Sequence, residues 1–278
     1  MRLSIEMQAY VHNKTRSRLR DGSMVWHLFT DMDNQFVDKI DVFPPARVVE
    51  KAERNIVALM KVPELSPGES FSPSVLLRID TTTRDWMMES QTTPEHVFTR
   101  LRGAYSLMQK YWETDDSAVR ELSSTIAEKA TDDESYARLA VEAVRGRVKL
   151  KTHLDERRGA ARAAREREGD CDEHADLFIA LTRAAKIPSR RVVGHYLRNG
   201  PDPEPHAWCE VFLRNLGWIP VDPALNQFGT LTENYFSRVR EGLVSERPTI
   251  RLKWKTLAPE RPVIEEVVKM TGLPNGRA

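Results

Sequence analysis

The sequence predicts an α+β protein in three stretches: a small β-sandwich, a run of helices, and a return to strands. Three observations carry this. Over residues 1–83 the apolar residues recur with period two. From Pro94 they recur with helical spacing. After Pro188 the strand pattern comes back.

The clearest strand signal is "RLSIEMQAYV" (2–11). It puts Leu3, Ile5, Met7, Ala9 and Val11 on one face and Arg2, Ser4, Glu6, Gln8 and Tyr10 on the other. "SMVWHLFT" (23–30), "NIVALMKV" (55–62) and "SVLLRIDTT" (74–82) are further strands, with turns at "RDGS", "FPPAR" and "LSPGES". Such short strands and turns predict a β-sandwich over 1–83. "TTTRDWMMESQTTP" then reads as a connection, with a linker at 84–93 and a second domain at 94–278.

The helical region runs to about Lys186 and is interrupted near "KLKTHLDERRG". Its periodic sets are Val97, Leu101, Tyr105 and Met108; Val119, Leu122 and Ile126; and Tyr136, Leu139 and Ala143. "TTPEH" and "TDDES" supply helix-start chemistry, because acids complement the positive end of the helix dipole. "RRVVGHYL" (190–197), "HAWCEVFL" (206–213) and "GWIPVD" (217–222) follow as strands, and "RNLG" joins the last two as a hairpin. "TENYFSRVREGL" reads as a helix, and "TIRLKWKT" with "VIEEVVKM" as a closing strand pair.

Composition narrows the function classes. The 278 residues are 40% hydrophobic and 30% charged, with a net charge of +1. No apolar run approaches the roughly 20 residues of a spanning helix. "MRLSIEMQAYVH" is broken by Glu6, Gln8 and His12 and lacks the apolar centre of a signal peptide. The expectation is a cytoplasmic protein with no membrane partner. A near-neutral chain has no global field for nucleic acid. Its basic runs at 145–151 and 157–168 read as solvated faces, the second laced with glutamates. Two cysteines make no disulfide framework, and no four-ligand zinc site without histidine help. No cofactor is called for, and the oligomeric state is left open.

The chemistry gathers around "GDCDEHADLF" (169–178). Ala175, Phe178, Leu181 and Ala185 mark a core-facing helix, and Asp170 is placed to cap it, so Cys171 falls in the first turn. There the unpaired backbone N–H groups favour a thiolate, while Asp170, Asp172 and Glu173 oppose it. A thiolate in this setting needs a positive partner. The hairpin through "RNLG" brings His206, near the start of one strand, beside Asp222 at the end of the next. The expected arrangement has Asp222 accepting from Nδ1 of His206, which leaves Nε2 for the thiol.

These motifs, "GDCDEHADLFIALTRAAKIPSRRVVGHYL" and then "HAWCEVFLRNLGWIPVDPA", closely resemble the transglutaminase-like superfamily over roughly residues 134–225. The resemblance implies a papain-like core, with helices packed on an antiparallel sheet, preceded by the β-sandwich. It also implies roles: Cys171 as nucleophile, His206 as general base and acid, and Asp222 as the group that orients His206. The implied reaction is cleavage or transfer of an amide acyl group of a protein or peptide through a Cys171 thioester. The alternative is a non-catalytic binding or assembly module on the same fold. The sequence departs from the family ahead of "GA" (159–160). An aromatic residue is usual there, but only Leu150 and His153 are offered, so the backbone N–H of Cys171 is the one oxyanion donor expected.

The remaining candidates are weighed on pattern. Trp208 shares a strand face with His206 and is placed as a substrate-binding residue at the cleft. Glu210 shares that face too, as an ion-pair or a site residue. Cys209 faces the other way, as a small core residue. His174 makes a Cys-x-x-His spacing with Cys171, a metal half-site without a matching second half, so no metal is assigned. His195 is placed at the surface. Pro203 and Pro205 are placed in a loop that leads into the histidine strand and shapes access to it.

Overall fold

The computed structural model describes residues 1–151, 156–198, 202–256 and 260–272. Seven strands come first: β1 (Arg2–His12), β2 (Arg20–His27), β3 (Gln35–Phe43), β4 (Arg47–Glu50), β5 (Ile56–Val62), β6 (Ser70–Phe71) and β7 (Ser74–Thr81). β8 (Arg84–Asp85) precedes three helices, α1 (Glu95–Tyr105), α2 (Ser117–Ala127) and α3 (Asp133–Arg147). β9 (Lys149–Leu150), α4 (Ala160–Glu166), β10 (Glu168–Gly169) and α5 (Cys171–Ala184) follow. The last strands are β11 (Ser189–Tyr196), β12 (Glu204–Leu213), β13 (Gly217–Asp222), β14 (Gln227–Phe228), β15 (Thr230–Leu231), β16 (Tyr235–Glu241), β17 (Ile250–Lys255) and β18 (Val263–Gly272).

This is the predicted α+β class. Helices pack on an antiparallel sheet of order β14-β13-β12-β11-β16, and two further sheets form a β-sandwich. β1 buries Leu3, Ile5, Met7, Ala9 and Val11, the face that its alternation marks. β3 and β4 carry no such signal. Asp38, Lys39 and Asp41 interrupt β3, and Phe36 and Phe43 on it are exposed, so apolar residues do not report burial there.

The end of the chain departs from expectation. β17 and β18 do not pair with each other. β18 runs antiparallel to β1 and β17 to β2, so each completes one sheet of the sandwich. The sandwich therefore takes strands from both ends of the chain, and a second domain drawn as 94–278 does not describe this pairing. The connection is structured as well: β8 pairs with β15, and Trp86 is buried in the core under the helices.

The stretch predicted as a helix at 232–243 contains β16. Tyr235, Phe236 and Val239 fit helical spacing, but β16 pairs with β11 and is buried at every residue. A fully buried strand has no polar face, so its periodicity cannot separate it from a helix. α5, apolar over most of its length, packs against β11 and β12, with α2, α3 and α4 around it. The described helices include none long and apolar enough to cross a membrane.

Candidate active site

Local sequence fixes the start of α5. Asp170 is extended and caps the helix, its carboxylate accepting from Asp172 N–H at 2.8 Å. Glu173 completes a capping box by accepting from Asp170 N–H at 3.1 Å, and it also accepts from Arg158 N–H at 2.7 Å. Gly169 leaves the space this carboxylate needs, since a Cβ there would overlap the Glu173 side chain. Cys171 is thus the first helical residue and is partly exposed.

His206 and Asp222 meet, though not as direct cross-strand partners. The β12–β13 register pairs Cys209 with Val221, so Asp222 lies beyond the last pair, level with Trp208 and two residues along from His206. A diagonal pair is reached by the far end of the imidazole ring. His206 Nε2 accordingly meets Asp222 Oδ2 at 2.7 Å, and Nδ1 is left for the thiol. The assignment of the two nitrogens is the reverse of the one expected from sequence. Burial opposes a charge on this ring. Hydrogen bonds to Asp222 and Cys171, and the charges of both, outweigh burial and raise His206 to about 10.

Asp222 is itself saturated. Oδ1 accepts from the backbone N–H groups of Ala224 and Leu225 at 2.9 and 3.0 Å. Oδ2 accepts from Tyr235 Oη at 2.8 Å as well as from His206. Tyr235 belongs to β16, three strands away from β13. In a flat sheet that separation is about 14 Å, beyond the reach of a tyrosine, so the sheet curls over His206. Gly194 pairs with His206 and permits the curl, because a Cβ there would overlap the Phe236 carbonyl and crowd Trp208. The rings of Tyr196, Trp208 and Tyr235 lie 5.7–6.0 Å from the imidazole.

A cleft of about 350 Å³ opens on this group, with Cys171, His206, Asp172, Arg191, Leu150 and Val193 among its walls. Arg191 resolves the acidic setting of the cysteine. Its buried guanidinium pairs with Asp172 and also donates to Glu241 at 2.7 Å. Burial raises the Asp172 carboxyl, but the charge and hydrogen bond of Arg191 outweigh it, so Asp172 lies below the usual range. One turn further along α5, fully buried Asp176 pairs with Arg157 and accepts from Trp112 Nε1 at 2.8 Å.

The other candidates land differently. Trp208, placed at the cleft, has 0% exposure and packs under the His206 ring, so it offers no surface to a substrate. Cys209 is a core residue, its thiol facing Ala175 O on α5 at 3.4 Å. His174 is buried and donates from Nδ1 to Asp170 O at 2.7 Å, so it does not extend a metal half-site with Cys171. Among the described residues, one trio of metal-ligand atoms clusters within 4.8 Å: Asp170, Cys171 and Asp172. Asp172 there is held by Arg191. Glu210 is buried and pairs with Arg190 at 2.5 Å. His195 is buried rather than superficial, its ring tilted against Phe29 of the sandwich at 5.5 Å. His153 and residues 199–201 of the access loop lie outside the described residues, while Glu204 and Pro205 begin β12 and line the cleft.

Sequence reasoning missed Tyr235 and Arg191. Tyr235 lay in the stretch read as a helix. Arg191 had one usable signal: it directly precedes the apolar pair Val192–Val193 in a predicted strand, and an arginine buried there needs an acid.

Comparison with known proteins gives these likenesses. Residues 120–223 match the family model described as the transglutaminase-like superfamily. A proposed cysteine protease from Cytophaga hutchinsonii aligns over 100% of this chain and 93% of its own, at 18% identity and a TM-score of 0.64. The periplasmic domain of TgpA from Pseudomonas aeruginosa, bound to ethylmercury, aligns over 78% of this chain and 88% of its own, at 12% identity and a TM-score of 0.40. No curated protein matches the sequence. At 18% identity the first likeness is one of fold.

Proposed function

On the premise that this chain carries a core of the transglutaminase-like superfamily over residues 120–223, we propose that it is a thiol enzyme acting on an amide of a protein or peptide. The carrying observation is the linked set Cys171–His206–Asp222, with the His206–Asp222 bond at 2.7 Å and Cys171 bonded to the same ring.

In this reading Cys171 Sγ attacks the amide carbonyl, and the backbone N–H of Cys171 at the helix start donates to the oxyanion. A ring raised to about 10 stays protonated across neutral pH, so His206 holds the proton that the departing amine needs. The C–N bond breaks and a thioester on Cys171 remains. His206, now neutral, takes a proton from the incoming water or amine as that nucleophile attacks the thioester. Water gives hydrolysis and an amine gives transfer. A cytoplasmic setting belongs to the same proposal, since it keeps a thiol nucleophile reduced.

Alkylation by iodoacetamide between pH 5 and 8, with the adduct mapped, tests the proposal. Selective labelling of Cys171 at acidic pH, abolished in His206→Ala, is the expected result. Labelling of Cys171 no faster than that of an ordinary thiol would overturn it in favour of a non-catalytic module. A glutamine peptide with a labelled amine then separates the two fates of the thioester: ammonia release without incorporation of the amine marks a hydrolase.

A further inference from the structure

Tyr235 reaches the centre of this site from the far edge of the sheet, and no step above uses it. Its hydroxyl donates to Asp222 Oδ2 at 2.8 Å, the same oxygen that meets His206 Nε2 at 2.7 Å. Its ring is buried and packs on Trp208 at 5.3 Å, on Tyr196 at 4.7 Å and on His206 at 6.0 Å. The two backbone donors occupy Oδ1, and among the described residues Tyr235 is the one side chain that shares with His206 the carboxylate oxygen facing the ring.

We propose that Tyr235 is a positioning residue of the triad: it holds Asp222 and takes up part of the carboxylate charge, so that His206 is oriented without binding its proton too tightly. The inference rests on the proposed thiol chemistry and goes beyond it by adding a fourth group. Two hydrogen bonds to one carboxylate oxygen compete for its electron density, so the Tyr235 bond weakens the pull of Asp222 on Nε2–H. A proton held less tightly is more readily delivered to a leaving amine. Burial, then the charge of Asp222, pushes the Tyr235 hydroxyl far above its ordinary range, so it remains a donor at every working pH. The curl of β16 over His206 then has a chemical use, since it delivers this hydroxyl.

Tyr235→Phe keeps the ring and removes the donor. The readout is the ¹H resonance of His206 Nε2–H at pH 7, with the titration of the same ring above pH 8. The expected result is a downfield shift of that proton and a titration moved to higher pH, because Asp222 then acts on His206 alone. Loss of packing alone would do the opposite: the ring would loosen from Asp222, the proton would move upfield and the titration would fall. An unmoved or upfield resonance therefore overturns the proposal. Tyr136→Phe is the control. It removes another buried tyrosine hydroxyl, bonded to Leu181 O at 3.0 Å within the helical layer, and is expected to leave the His206 signals in place. Cys171 alkylation in the unaltered protein is read in parallel. If that labelling is ordinary while the Tyr235→Phe shift appears, the thiol chemistry fails and the bonding of Tyr235 stands. Selective labelling without the shift gives the reverse.

Discussion

At the scale of single residues, the site turns on how charge is shared around Cys171. Asp222→Asn removes the carboxylate that holds the His206 proton, so the ring falls from about 10 toward its ordinary value. The alkaline limit of activity moves down in pH with it, and the rate drops by about a hundredfold or more. The pH profile of ammonia release from a glutamine peptide measures both. The sign is fixed by linkage. The raised His206 contributes stability that is full below about pH 6.5 and is lost as pH rises through about 10, so Asp222→Asn is less stable near neutrality. Arg191→Gln takes from Asp172 its guanidinium partner and leaves Glu241 with Arg157 and the Arg247 N–H, at a cost of about 3 kcal/mol. Urea midpoints check this, and adding Asp172→Asn to Arg191→Gln is expected to recover part of the loss. Cys171, His206 and Asp222 were legible because each sits on a short, strongly patterned element and the hairpin has a definite register. The roles of the two ring nitrogens and the burial of Trp208 were not. Alternation says which residues share a strand face, but not what covers that face or where along it a partner lies.

Among the elements, β16 is where sequence pattern and tertiary context part. It is buried on all sides and carries Arg238, Arg240 and Glu241 inside the protein, each with an ion-pair partner. Only long-range pairing stabilises such a strand, and no local window reports that. Gly194 on β11 is the point at which β16 closes in. Gly194→Ala would force the two strands apart at the Phe236 carbonyl, and overpacking of this kind costs about 1–3 kcal/mol. The expected consequence is specific to the site. Tyr235 loses Asp222, and ammonia release from a glutamine peptide slows more than the lost stability alone would require. Measuring that release well below the unfolding midpoint separates the two effects. The start of α5, by contrast, was legible in its Asp170 cap and its first-turn Cys171, because capping is local chemistry, while the return of Glu173 to the Asp170 N–H was not read.

For the molecule as a whole, the sandwich and the helical layer are joined through β16. Arg238 on that strand is buried, donates to Glu266 of β18 at 2.5 and 2.9 Å, and bonds the carbonyl of His27 on β2 at 2.9 Å. Trp26 Nε1 reaches the same glutamate at 2.5 Å. Strands from both ends of the chain therefore converge on a strand of the sheet that carries His206. That long-range return explains why a boundary read along the sequence at 84–93 left the strands β17 and β18 out of the sandwich they complete. Two histidines are sealed at this junction. Burial first, then the charge of Arg238, lowers His195 to about 3 and His27 to about 4. Each is neutral when folded and gains a proton on unfolding below about pH 6.5, so the stability it carries is present above that pH and is lost as pH falls toward the folded values. By pH 5 the loss is about 2 kcal/mol for each histidine. His195→Gln removes one of the two titrations. The slope of unfolding free energy between pH 6 and 5, measured by urea denaturation, is expected to flatten by about 1 kcal/mol per pH unit. An unchanged slope would mean that His195 is solvated in the native state and that the sandwich does not close on the sheet of β11 and β16 at this point.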